Sequence, residues 1–264
     1  MSENCELEIE VLVLYAGAHQ TPCDGQCVME AAAYFGARKF PEYANEPFSD
    51  RPSFACRTLS AFLRAWNDNV DDDARQTLKP YIMRVIGTND GKTETRTWIL
   101  VDWAIREQLP LVLDALKDPK ATMCAAGLRG LNPISRDTAK AELERSLPFL
   151  NDALARARAL ARDLALAGEG AVDLALAPGR AVDLALARDL ARDLDLAGDL
   201  DLARALAGAL ARARALAGDR AVDLARARAL ARAGDRALDL DLALALDGQL
   251  NDSRHRVMER MLNA

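Results

Sequence analysis

The chain has 264 residues, half of them apolar and 28% charged, with a formal net charge of −6 from 34 Lys and Arg against 40 Asp and Glu. That apolar share excludes a wholly disordered polyanion and suffices for one or two domains with a buried core. The acidic balance speaks against a nucleic-acid binder, because neutralising phosphates draws on a surplus of Lys and Arg.

In chain order, Glu8 to Tyr15 reads as a short strand or an apolar lead-in, and a helix starts near Gln26 and runs to Gly36. Three prolines make the stretch 40–54 a loop. Leu59, Phe62, Leu63 and Trp66 form an i, i+3, i+4, i+7 stripe, so the next helix is amphipathic. Asp71, Asp72 and Asp73 supply a cap and favourable charge for a following helix, and Pro80 interrupts or restarts it. Residues 93–116, with Trp98, Trp103 and Ile105, form the strongest core element, with a bend expected before Pro110. Ser135 is a candidate cap for a helix holding Leu143, Leu147 and Leu150, and Asn251 to Leu262 reads as an amphipathic C-terminal helix.

Between these last two elements the alphabet collapses. From Ala153 to Asp247 every odd position is Ala or Asp, except Glu169 and Gly179, and every even position from Leu154 to Gly248 is Leu, Arg, Gly or Val, except Pro178. A repeating six-nucleotide unit, expanded by slippage, would write this alternation. Period two is formally the strand template, but each strand face would mix apolar with charged residues, and Ala, Leu and Arg are strong helix formers. The reading is therefore mainly α: a compact helical domain over 1–150, helical low-complexity repeats over 151–248, and a C-terminal amphipathic helix over 249–264. A β-solenoid-like tail is the alternative. Gly168, Gly170, Pro178, Gly179, Gly198, Gly208, Gly218, Gly234 and Gly248 divide the tract, with Asp199, Asp219 and Asp235 as N-caps. On helices of this grammar, leucines at i and i+2 point to opposite sides, so the apolar surface wraps around and calls for a partner.

The candidate chemistry lies in His19 to Ala31. Cys27 falls at a helix start, where the macrodipole can activate a thiol, which makes it a candidate nucleophile. His19, Cys23, Cys27 and Cys56 are alternatively a Cys3His zinc set, although no CxxC knuckle is present. The plainest alternative makes Cys27 and Cys56 small buried apolar residues and His19 a loop residue. No P-loop, HExxH, GxSxG or GxGxxG string occurs. The odd number of cysteines and the absence of a signal-like start or of a transmembrane-length apolar run suggest a cytoplasmic protein that does not enter a membrane.

Two resemblances add expectations. Asp24-Gly25-Gln26-Cys27 resembles the start of the catalytic helix in ovarian-tumour-type cysteine proteases, which implies Cys27 as nucleophile and a downstream His; the only one is His255. More broadly, AGAH at 16–19, GQCVMEAAAY at 25–34, SDRP at 49–52, Cys56, AFLRAWND at 61–68 and TRTWILVDWAIRE at 95–107 resemble a family of uncharacterised bacterial and phage proteins. Those proteins carry AGSH, GxCxMEA, SDxP and FLRxWND segments in the same order, often ahead of an Ala/Asp/Arg-rich tail. His19, Cys27, Glu30 and Cys56 are among the matching positions, and the likeness attaches no activity to them. The expected function is a non-enzymatic helical accessory protein whose repeats associate with themselves or with a protein partner, with no cofactor. A Cys27 hydrolase and a zinc-stabilised module are the alternatives.

Overall fold

The computed structural model describes residues 8–115, 119–149, 152 and 237–264. Among them there is no strand, and the regular elements are helices, as the composition predicts. The chain divides into two compact units, one of residues 1–96 with 261–264 and the other of residues 97–260. This boundary, between Arg96 and Thr97, is one that the reading of 1–150 as a single module does not draw.

In the first unit, α1 (Val28–Lys39) packs against α2 (Arg57–Asp68), against the single turn Pro41–Tyr43 and against α4 (Tyr81–Arg84), while α3 (Asp72–Gln76) precedes α4. Nine consecutive residues of α1, Val28 to Gly36, are buried. A helix buried on every side needs small or apolar residues all round, which the Ala31–Ala33 run supplies. Gly36 completes this: a Cβ there would lie 2.8 Å from the Phe54 ring, so glycine lets that ring approach the helix closely. The stripe of α2 behaves as predicted, with Leu59, Phe62, Leu63 and Trp66 buried and the Trp66 ring beside Phe62 and Tyr81. Asp71 caps α3 by accepting from the Ala74 N–H at 2.8 Å, and α4 starts directly after Pro80, both as expected.

The segment 8–15 forms no strand and is the apolar lead-in: residues 9–11 turn, closed by the Leu12 N–H donating to the Glu8 carbonyl, and Leu12 and Leu14 are buried. In place of a second strand, the Gln26 carbonyl accepts from the Tyr15 N–H at 2.9 Å and side chains meet the rest. Gln76 accepts from the Leu14 N–H at 2.9 Å and donates to the Leu14 carbonyl at 3.0 Å, imitating a ladder with one amide.

The first unit also takes in the chain's last four residues. Arg96, 2% exposed, donates from Nε to the Met261 carbonyl at 3.0 Å and from Nη1 to the Thr88 carbonyl at 2.7 Å. Its two terminal nitrogens also grip Asp90 in a bidentate pair, which holds the Asp90 carboxyl well below its usual range, at about 2.

In the second unit, α5 (Thr93–Trp103), whose start lies in the first unit, runs through a π turn at Ala104–Gln108 into α6 (Leu109–Asp114). Pro110 has no N–H and its ring crowds the preceding turn, so the wider turn meets the bend expected before it. With α7 (Pro119–Arg129) and the helical residues 139–149, these elements bury a core of Trp98, Ile105, Leu113, Leu128, Ile134 and Leu143.

The last helix, α8 (Ala237–Leu262), is longer than the expected 251–262. Its first half, Ala237 to Asp247, is the end of the two-residue repeat. Where the repeat is described it is therefore helix, not the strand of a solenoid. The remaining repeat readings, including the caps at Asp199, Asp219 and Asp235, lie outside the described residues. Within the second unit α8 is held by Trp103 Nε1 donating to Ser253 Oγ at 2.7 Å, and by Arg260 donating to Glu107 at 2.6 Å and Asp102 at 3.2 Å. Asp102, 6% exposed, also accepts from Arg106 and from the Ile134 N–H.

Candidate functional site

Two of the residues singled out in the sequence, His19 and Cys27, come together at the start of α1 through Glu30. Cys27 is the N-cap, with extended backbone, and its sulfur accepts from the Glu30 N–H at 3.5 Å. Glu30 returns the bond, its Oε2 accepting from the Cys27 N–H at 2.8 Å. This is a capping box in which a thiol stands where Ser or Thr is usual. A second cap comes from α2, where Asn67 Oδ1 accepts from the Val28 N–H at 3.2 Å.

The Glu30 carboxylate has a further partner. Its Oε1 accepts from the His19 N–H at 2.7 Å, and its Oε2 lies 2.8 Å from His19 Nδ1. The Glu30 side chain is 2% exposed and that of His19 15%. A single buried carboxylate thus ties the loop 16–25 to the helix start at three points. The loop is pinned elsewhere by Asn67 donating to the Tyr15 carbonyl, Asp68 accepting from the Gly17 N–H, and the Tyr15 N–H donating to the Gln26 carbonyl. Gly25 has φ +120°, and a Cβ there would sit 3.1 Å from both the His19 and the Tyr15 rings. Only glycine combines that backbone with the close approach of both rings.

Cys27 is at the helix terminus, as expected, but its environment does not favour a thiolate. The residue is 2% exposed, and burial, reinforced by the negative charge of Glu30, pushes the thiol up to about 12. The N–H groups of Glu30 and Met29 pull the other way and do not offset burial. At neutral pH the sulfur is a protonated cap.

The four proposed zinc ligands do not gather. Cys27 and His19 both meet Glu30, whereas Cys56 is the N-cap residue of α2, fully buried, with its sulfur 3.5 Å from Thr93 Oγ1 and its N–H donating to Thr88 Oγ1 at 3.0 Å. Cys23 is exposed. Among the described residues no group of three or more His, Cys, Asp or Glu side chains is arranged to hold a metal ion. His255, the downstream imidazole, is on α8 in the second unit, where burial lowers its pKa. The imidazole that shares a carboxylate with Cys27 is the upstream one.

Glu30, named in the sequence only as a matching position with no role, and Asn67 and Gln76 are the further structural participants. Glu30 had a legible signal, since Cys27-x-x-Glu30 is a capping-box spacing with sulfur for oxygen. Asn67 and Gln76 had none: each is a polar residue within a helix whose partner lies more than 35 positions away. Among the described residues no helix is long and apolar enough to cross a membrane. No known protein family, curated protein or solved structure matches the chain.

Proposed function

We propose that this chain is a helical accessory protein of the cytoplasm that acts by association, its folded units holding and presenting the Ala/Leu/Asp/Arg tract to a second copy or to a protein partner. The observation that carries the reading is α8, in which the end of the tract continues without a break into an anchored helix. A helix whose sequence carries leucine at alternate positions has no single apolar stripe, a pattern that suits association with more than one element. At the other end of the tract, the helical residues 139–149 contribute Leu143 to the core of the second unit. The cysteine-hydrolase reading is weakened by the protonated, buried state of Cys27.

Sedimentation velocity tests the proposal. The full chain should sediment as an oligomer at micromolar concentration, and a variant with residues 153–236 replaced by a Gly/Ser linker should be monomeric with unchanged helical signal from the rest. Equal sedimentation states for the two proteins, whether both monomeric or both associated, would remove the tract as the associating element.

A further inference from the structure

We propose that the two halves of the Ala/Leu/Asp/Arg tract are each other's partner: residues 163–201 pair antiparallel with residues 202–236 of the same chain, selected by charge. The order of charge along the tract motivates this. Residues 153–162 carry three Arg and no acid, and residues 163–201 carry nine Asp or Glu against three Arg. Residues 202–236 carry eight Arg against three Asp, and residues 237–247 three Asp and no Arg. The signs run basic, acidic, basic, acidic. Read backwards, every block has the opposite sign, so a fold about residue 202 sets unlike charge against unlike charge along its length. Pairing in the parallel sense would set like against like.

Local pairing does not absorb these charges. From Ala153 to Asp247 every Asp stands at an odd position and every Arg at an even one, so on a helix no Asp meets an Arg at i and i+4. The fold favours the same chain over a second copy, because both ends of the tract are held in the second unit. Before it, Leu143 lies in the core with Trp98 and Ile105, and the Phe149 ring lies against Gly127 of α7. After it, Trp103 holds Ser253, and Asp102 and Glu107 hold Arg260. Halves tethered at both ends to one unit meet at high effective concentration, which favours pairing within the chain. The acidic last block is the first half of α8, and the basic first block follows closely on the helical residues 139–149. Leucines common to both halves supply apolar contact, and the charges set which half meets which.

Spin-label distances in the full chain test this. The tract holds no cysteine, and Cys27, Cys56 and Cys124 are buried, so Cys5→Ser and Cys23→Ser clear the accessible thiols. Labels at Ala187→Cys and Ala217→Cys face each other across residue 202, and so do labels at Ala171→Cys and Ala233→Cys. The inner pair should lie well under the roughly 45 Å that a straight helix would put between them. The outer pair should give the same short distance despite its greater separation in sequence. Both distances should survive dilution with excess unlabelled chain. Replacing the eight Arg of residues 202–236 by Glu should drive both pairs apart, and exchanging Arg and acid in both halves should restore them. Distances that grow with sequence separation, or that are indifferent to the sign of the blocks, would overturn the pairing. Distances lost on dilution would assign it to a second copy and overturn the fold-back. Sedimentation reads association separately: an oligomeric chain without the short distances loses the fold-back and keeps the associating tract.

Discussion

Helices α1 and α2 both start from a buried cysteine, and the two starts are built differently. At α1 the thiol itself caps, and a carboxylate one turn on answers it and gathers a distant loop. At α2 the Cys56 thiol makes no capping bond; the sulfur turns to Thr93, and the neighbouring backbone N–H is taken by the Thr88 hydroxyl. The same residue type at the same helix position thus caps its own helix in one place and bonds away from its helix start in the other. What separates them is the residue three positions on. Glu30 can close a box around Cys27, and Leu59 cannot do so around Cys56. Cysteine at a helix start therefore does not by itself announce reactivity, because burial opposes the thiolate that the helix dipole would favour.

The largest expected effect comes from removing the carboxylate that makes α1 different. Glu30→Ala leaves the His19 and Cys27 N–H groups without their acceptor in a buried site, and should cost about 3–5 kcal/mol in urea unfolding. At α2, Thr88→Val removes a hydroxyl that accepts from Cys56 and donates to the Val85 carbonyl; the expected loss is about 1–3 kcal/mol. Equal losses for the two variants would break the comparison. The thiols come next. Cys27→Ala removes a cap and should cost about 1 kcal/mol, while Cys27→Ser keeps an acceptor and should recover most of it. At Cys56 neither substitution removes a capping bond, so Cys56→Ser and Cys56→Ala should differ less than the Cys27 pair.

Thiol titration sharpens the same point. Cys27 should resist alkylation in the folded chain at neutral pH, whereas exposed Cys23 reacts. Because the folded Cys27 thiol is raised to about 12 from 9.0, the unfolded chain loses this proton first. Its contribution to stability is therefore intact below pH 9 and declines as the pH rises toward 12. The smallest effect lies at the acid end. Asp90 is lowered from 3.8 to about 2 by Arg96, so its contribution is present above the unfolded value and is lost as the pH falls through that range. The Asp90 side chain is 34% exposed, and solvent screening reduces the contribution to about 1 kcal/mol or less. Acid unfolding should shift correspondingly in Asp90→Asn.

Much of the helical layout was legible before any coordinates, for local reasons. The stripe of α2, the Asp71 cap, the restart after Pro80 and the bend before Pro110 all depend on interactions within one or two turns, so spacing alone carries them. For the segment 8–15 the amino-acid order leaves strand and apolar lead-in open, because a local apolar run says nothing about a neighbour. A strand needs a second strand, and here Gln76 supplies the backbone's partner. The expected break at Gly248 is a correction: the helix runs through it from Ala237 to Leu262, because one glycine among strong helix formers weakens a helix without ending it.

By itself the amino-acid order determined that this chain is helical, where most of the described helices start, and that His19, Cys27 and Cys56 merit attention. Only the tertiary structure decided that His19 and Cys27 share Glu30 while Cys56 stands apart, that Asn67 and Gln76 close the loop before α1, and that Met261 to Ala264 join the unit containing Arg96. The reason is physical. Helix propensity and capping act over a few residues, so they can be read along the chain. Burial, which keeps the Cys27 thiol protonated, and pairing of polar groups across long separations depend on which segments meet, and no local pattern encodes that.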